Sequence, residues 1–303
     1  MHGGVTHPGV RVSFYGVRGS TPCHGPEIAR YGGNTSCVVL EADGHLPIVF
    51  DLGTGLRTYG LDVAAAGRAG GFTGAVLLTH LHWDHVQGLP FFAPLACGDA
   101  RLEVHGPRQA EGSLGEVFAG IMRPPYFPVR PDELEGHVAF VELGDDDGAL
   151  NGATIRSRWI RHVGPTLGFR VELDGVSVAY ISDHGPGCCP DDPDDHVPRP
   201  VLELCDGVDL LIHDAQHTPA EFERKRHWGH CTTGYALHVA REAGARRLAL
   251  FHHDPLHDDA TVDRLLVETA DAAAATGGPE VLAAAEGLVV ELCPAGLVPQ
   301  PTR

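Results

Sequence analysis

Thr79-His80-Leu81-His82-Trp83-Asp84-His85-Val86-Gln87-Gly88 is the stretch from which the fold can be read. Four side chains able to bind metal, His80, His82, Asp84 and His85, fall within six residues. They follow the apolar run Ala75-Val76-Leu77-Leu78, which predicts a buried strand entering a loop at its carboxyl end. A strand end can aim several side chains at one point. Imidazole nitrogens and carboxylate oxygens suit zinc, manganese or iron, and a catalytic site keeps one position open for water. His80 and His82 can hold one ion while Asp84 and His85 hold a second. With 20 histidines in the chain, a chance cluster on a solvated loop is the alternative. The spacing, the preceding strand and the following Gly88 favour a metal site.

The H-x-H-x-D-H spacing resembles the signature of the metallo-β-lactamase superfamily. That resemblance implies an α/β fold, the αββα four-layer sandwich, with a dinuclear metal site at one edge of its two sheets. It also implies further ligands downstream.

Length and charge set the frame. A chain of 303 residues with 43% hydrophobic residues can bury a sizeable core, and one domain with insertions over residues 1–303 is the expectation. Within it, residues 1–9 read as a flexible amino terminus and residues 185–200 as an acidic, proline-rich insertion. No apolar run is long enough to span a bilayer, and Met1-His2-Gly3-Gly4 lacks the basic and apolar regions of a signal peptide, so a cytoplasmic location without membrane association is expected. The net charge of −18, with Lys225 as the one lysine, disfavours a long polyanion as partner. A small anionic substrate drawn in by metal ions remains compatible. The eight cysteines form no C-x-x-C pair, and buried free thiols are expected for most; Cys188-Cys189 could instead be redox-sensitive.

Alternation predicts a strand over residues 10–15, then the turn Gly16-Val17-Arg18-Gly19-Ser20-Thr21-Pro22. Strands over residues 38–41 and 47–50 follow, giving an antiparallel meander. Asn34 and Ser36, in the glycine cluster before the second strand, can line a site floor or simply close a tight turn. Helical spacing covers residues 56–67, 113–122 and 233–243. The segment Arg123-Pro124-Pro125-Tyr126-Phe127-Pro128 is stiff and apolar and could wall a pocket, meet a second copy or lie on the surface.

The superfamily resemblance carries the remaining ligands. His162, between the strands flanking Arg161-His162-Val163-Gly164, would join His80 and His82 on the first ion. Asp183, ending the run Ser177-Val178-Ala179-Tyr180-Ile181-Ser182, would bridge both ions. In Leu250-Phe251-His252-His253-Asp254, His252 would complete the second ion's set with Asp84 and His85, and His253 is the alternative. Asp51, at a strand end, would support the histidine loop by hydrogen bonding without itself being a ligand.

Two segments narrow the branch. Ile212-His213-Asp214-Ala215 and Gly229-His230-Cys231-Thr232 resemble the H-E-A-T and H-S-T segments of RNase Z, with Asp in place of Glu and Cys231 in place of Ser. Carried over, His230 would protonate the departing oxygen and Asp214 would orient its ring. Otherwise His230 only caps a helix. The resemblance spans residues 10–255 and is to the phosphodiesterase branch, which includes RNase Z and cyclic phosphodiesterases. It implies two divalent ions, zinc with manganese or iron as alternatives, and hydrolysis of a phosphodiester by an activated water that Asp84 aligns. Residues 185–195 contain four aspartates and no basic residue, unlike the basic arm that RNase Z uses to hold tRNA. A small cyclic-nucleotide-like phosphodiester is therefore the expected substrate. RNA 3′ processing, a thioester or lactam hydrolase, and a metal-binding sensor without turnover are the alternatives. A homodimer is expected from the resemblance alone.

Overall fold

A computed structural model describes residues 9–186 and 195–294. The amino-terminal half runs β1 (Val10–Gly16), β2 (Cys37–Glu41), β3 (Ile48–Phe50), α1 (Gly55–Ala65), β4 (Thr73–Leu77), β5 (Arg101–Pro107), α2 (Leu114–Ile121) and β6 (His137–Leu143). The second half runs β7 (Asp146–Leu150), β8 (Ala153–Trp159), β9 (Leu167–Leu173), β10 (Val176–Ile181), α3 (Arg199–Cys205), β11 (Leu210–Asp214), α4 (Pro219–Lys225), α5 (Thr233–Glu242), β12 (Arg247–Phe251), α6 (Asp259–Ala274), β13 (Glu280–Ala283) and β14 (Val289–Leu292). The helix expected at residues 113–122 starts one residue later because Ser113 is its cap, exchanging hydrogen bonds with Glu116 in a capping box.

Two seven-stranded sheets result, ordered β14-β1-β2-β3-β4-β5-β6 and β13-β12-β11-β10-β9-β8-β7. The sequence resemblance ends near residue 255, yet β13 and β14 lie beyond it and complete an edge of each sheet. β14 pairs antiparallel with β1, and β13 parallel with β12.

The inner faces of the sheets pack together through Phe14, Phe50, Phe169, Tyr180 and Phe251. Phe50 stacks on Tyr180 of the opposite sheet with ring centroids 4.7 Å apart, a contact worth about 0.5–1.5 kcal/mol beyond the buried area. Outside the first sheet, Leu56, Tyr59 and Val63 of α1 and Phe118 of α2 cover Val39, Val49 and Val76. Outside the second, Val201 and Leu204 of α3 and Ala236, Leu237 and Ala240 of α5 cover Ala179, Leu211 and Leu248. Helix, sheet, sheet, helix is the four-layer sandwich.

Strand direction places the site. β3 and β4 are parallel, and the antiparallel steps β1 to β2 to β3 leave β1 pointing the same way. In the second sheet β10, β11 and β12 are parallel, and β8 shares their direction through β9. The carboxyl ends of such strands are where open α/β sheets collect functional side chains. Asp51, Asp183, His252 and the turn with Ser20 follow these ends directly, the His80 and His162 loops follow them closely, and Asp214 closes β11.

Residues 1–8 and 187–194 lie outside the described residues, and with them most of the expected flexible terminus, the centre of the acidic insertion and Cys188-Cys189. Of the six described cysteines, Cys37, Cys205 and Cys231 are buried, Cys23, Cys97 and Cys293 are half-buried, and all are free. No helix among the described residues is long and apolar enough to cross a membrane.

Candidate functional site

A short 3-10 helix, Trp83–His85, sets the histidine loop. It turns Asp84 and His85 inward while His82 stays exposed. Gly88 then lets the loop pass the β3 end: a Cβ there would lie 2.0 Å from the carbonyl oxygen of Gly53.

Four of the gathered histidines share one arrangement. His80 Nδ1 lies 3.0 Å from Thr79 Oγ1, His85 Nδ1 2.8 Å from Asp51 Oδ2, His162 Nδ1 2.9 Å from the Gly229 carbonyl, and His252 Nδ1 3.2 Å from Gln216 Oε1. An acceptor at Nδ1 holds the ring proton there and leaves the Nε2 lone pair facing inward. Those inward nitrogens meet carboxylates. His80 Nε2 is 3.7 Å from Asp183 Oδ2, and His85 Nε2 is 3.2 Å from both Asp84 Oδ2 and Asp183 Oδ1. His252 Nε2 is 3.0 Å from Asp84 Oδ2 and 3.3 Å from Asp183 Oδ1, and His162 Nε2 is 3.5 Å from Asp183 Oδ2. His82 faces the same centre with Nδ1, 3.2 Å from His162 Nε2.

Asp51 underlies this order. Its carboxylate accepts from Thr79 N and Oγ1 at 2.8 and 2.9 Å, from Tyr180 Oη at 2.9 Å and from His85 Nδ1. Asp51, Ser20 and His252 have φ of 59°, 61° and 59°, a left-handed conformation that costs a non-glycine residue about 1–3 kcal/mol. Three such residues around one centre mark a place where packing dictates the backbone.

Charge follows geometry. Burial, together with the charge of His85, pushes His80 well below the ordinary imidazole range, and burial pushes His162 down to about 4. Both are thus held neutral, the form that ligates. Burial also depresses His85 and His252, but the carboxylates of Asp84 and Asp183 overcome it, raising His85 well above its usual value and His252 to about 8.

Divalent cations fit these residues on the structure's own terms. The buried Nε2 atoms of His80 and His85 have no hydrogen-bond partner, and a lone pair turned toward a carboxylate is repelled unless a proton or cation lies between. His80, His82, His162 and Asp183 form one group whose ligand atoms lie within 4.8 Å of one another, and Asp84, His85 and His252 form a second. His253 points away, with Nε2 2.9 Å from the Ala284 carbonyl.

Beside the second group stands His230, whose Nδ1 donates to Asp214 Oδ2 at 2.7 Å. Asp214 also accepts from Gln216 N and Cys231 N, and the Cys231 thiol donates to its backbone carbonyl. Burial opposes ionisation of Asp214, yet His230 holds its carboxyl below the usual range.

A family model described as a beta-lactamase superfamily domain matches residues 62–253. The chain belongs to the beta-lactamase superfamily. It is thus a superfamily hydrolase, and its relatives agree. A Ribonuclease Z of Haloarcula marismortui is 28% identical over 87% of this chain and 92% of its own length. The metallo-beta-lactamase fold protein YhfI from Bacillus subtilis superposes with a TM-score of 0.69 at 20% identity, covering 94% of this chain and 99% of the other. The short form of human tRNase Z gives 0.65 at 22% identity, covering 93% and 99%.

Three further residues belong to the superfamily hydrolase's centre although the sequence assigns them no role. Ser20 N donates to Asp84 Oδ2 at 2.7 Å. Gln216 holds His252 and donates to Ser20 Oγ at 3.2 Å. Arg18, fully buried, donates to the carbonyls of Gly32, Asp254 and His257 and fixes the turn against the loop after β12. Among the three, only Gln216 had a sequence signal, its place two residues after Asp214.

Proposed function

We propose that this chain is a single-domain, dinuclear metal-dependent phosphodiesterase acting on a small, cyclic-nucleotide-like phosphodiester. The His230–Asp214 pair, 2.7 Å apart at the edge of the cation-binding groups, carries the reading. A purely structural ion needs no such pair.

His80, His82, His162 and Asp183 would hold one cation, and Asp84, His85 and His252 a second, with Asp183 shared. Bound there, divalent cations such as zinc supply Lewis acidity toward phosphoryl oxygens and lower the pKa of water. The chain's own side chains do the rest. Asp84, anchored by Ser20 N, accepts a hydrogen bond from the attacking water and aligns it. His230, its Nδ1 proton committed to Asp214, presents Nε2 to the leaving oxygen. Proton delivery there relieves the charge of a departing alkoxide, and Asp214 stabilises the imidazolium before transfer.

A second reading is an RNase Z-like RNA 3′-processing endonuclease, supported by the relatives named Ribonuclease Z. The net charge of −18 weighs against it, because a long polyanion gains affinity from clustered basic residues. Hydrolysis of 3′,5′-cyclic AMP by purified protein with zinc or manganese, with Asp84→Ala as control, separates the two. Metal-dependent turnover lost in the variant supports the first reading. Absence of turnover alongside cleavage of an RNA 3′ trailer replaces it with the second.

A further inference from the structure

The 3-10 helix Trp83–His85 faces two ways. Asp84 and His85 turn into the cation-binding groups, while the Trp83 indole between His82 and Asp84 is 58% exposed. The indole borders a cavity of about 390 Å³ that also takes in Gln87, Phe91, Met122, Tyr126 and Phe127. Its volume lies in the roughly 300–1,000 Å³ range of small-molecule sites. Phe91 and Tyr126 are 57% and 71% exposed, and Phe91 meets Phe127 edge to face at 5.9 Å. No charged residue lines the cavity, and Gln87 supplies its one side-chain amide.

We infer that this cavity is a subsite for a planar heteroaromatic ring, the nucleobase of the substrate. The inference rests on the phosphodiesterase reading and specifies what the substrate carries beside its phosphate. Trp83, Val86 and Gln87 line the cavity and flank Asp84 and His85 in the chain, so a ring stacked on the indole would sit beside the loop that carries those two side chains. Exposed aromatic side chains at Trp83, Phe91 and Tyr126 suit a flat ring, because stacking on an aromatic side chain tolerates any base. The Gln87 amide can both donate to and accept from the hydrogen-bonding edge of that ring. An uncharged lining suits a neutral base on a protein whose net charge repels free anions. The chemistry selects a nucleotide and disfavours an aliphatic phosphodiester.

Calorimetric titration of adenosine into the purified protein with zinc added tests this, with ribose as the control that lacks the base. Adenosine should bind where ribose does not. Trp83→Ala and Tyr126→Ala should each weaken adenosine binding about tenfold, on the scale of base–aromatic stacking, while Trp83→Phe should retain most of it. Thermal melting of each variant identifies any that fail to fold, and the Trp83→Phe comparison separates loss of a ring face from loss of structure. Equal heats for adenosine and ribose, or adenosine binding unchanged in both alanine variants, would overturn the subsite. So would sedimentation showing a dimer that Tyr126→Ala converts to monomer, since the rings would then serve a second copy of the chain. Adenosine carries no phosphate, so its binding does not depend on turnover. Adenosine binding without cyclic AMP hydrolysis upholds the subsite and counts against the phosphodiesterase reading, whereas hydrolysis without adenosine binding overturns the subsite alone.

Discussion

His230 Nδ1 lies 2.7 Å from Asp214 Oδ2, although one residue sits in a turn before α5 and the other ends β11. The bond orients the ring, and in the proposed mechanism it leaves Nε2 for the leaving oxygen. The size of its effect depends on the leaving group. With His230→Ala or Asp214→Asn, kcat on an alkyl phosphodiester should fall about 10²–10⁴-fold, the usual span for general acid catalysis. On nitrophenyl esters, whose leaving group departs without a proton, the loss should be far smaller. Steady-state kinetics on both substrate types decide it, and equal losses would remove His230 from the proton-transfer role.

Asp51 is the residue on which the cation-binding groups lean without presenting a ligand atom of their own. Asp51→Asn keeps the shape but loses the charge, and a single amide oxygen must then serve donors from Thr79, His85 and Tyr180. Partners that orient a ligating histidine are worth about 10–100-fold in metal affinity. Zinc affinity measured by competition with a chromophoric chelator should fall by that amount. Unchanged affinity would mean that the His85 ring is held by packing alone.

The gathered histidines and carboxylates show where the sequence is legible. His80, His82, Asp84 and His85 are close in the chain, so their convergence follows from a strand end and one turn. His162, Asp183 and His252 were also legible, because each follows a recognisable strand and the family resemblance orders them. Ser20 was not, since its role comes from a backbone N–H placed by contacts between distant parts of the chain, and Gln216, although two residues after Asp214, carries no sign in the sequence of its side-chain bond to His252. Ser20 reaches Asp84 only because its backbone is left-handed, which no local pattern specifies. Arg18 reads only as part of a glycine-rich turn, yet it is buried and donates to three carbonyls. β13 and β14 are four residues each, lie beyond the segment that the resemblance covers, and are fixed by pairing with β12 and β1. The apolar segment around Tyr126 keeps three meanings open in the sequence, and the fold lines one cavity with it and Trp83.

Acid stability offers a test away from the centre. Glu221 sits in the first turn of α4 and accepts from Thr218 N at 2.8 Å, Thr218 Oγ1 at 2.7 Å and His257 Nε2 at 3.0 Å. Burial raises its pKa, but these hydrogen bonds outweigh burial and bring it down to about 2. An unfolded glutamate titrates near about 4.3. A depressed folded value contributes stability in full above that pH, and the contribution is lost as pH falls toward 2. Melting temperatures of the wild type and Glu221→Gln should therefore differ by a constant amount above about pH 4.5 and converge below it. A gap that persists unchanged to pH 3 would show that the charge of Glu221 contributes nothing.

Gly19 decides whether the turn after β1 can rest on the His252 ring. A Cβ at this position would lie 2.5 Å from both Cε1 and Nδ1 of His252, closer than real Cβ contacts allow. The turn is pinned on either side: Arg18 bonds three carbonyls, and Gly19 N donates to the His253 carbonyl at 3.0 Å. The ring is therefore the part able to yield, giving up Gln216 at Nδ1 and its approach to Asp84 and Asp183 at Nε2. Under the proposed two-cation arrangement, Gly19→Ala should consequently weaken binding of the cation that Asp84, His85 and His252 would hold while leaving the first group of side chains in place. Metal analysis after dialysis against a weak chelator should find about one equivalent of zinc fewer than in the wild type. The melting temperature of the metal-free protein should move little, because the clash falls on a side chain and not on the packed sheets. A large drop in that temperature with normal zinc content would show instead that the turn, and not the ring, gives way.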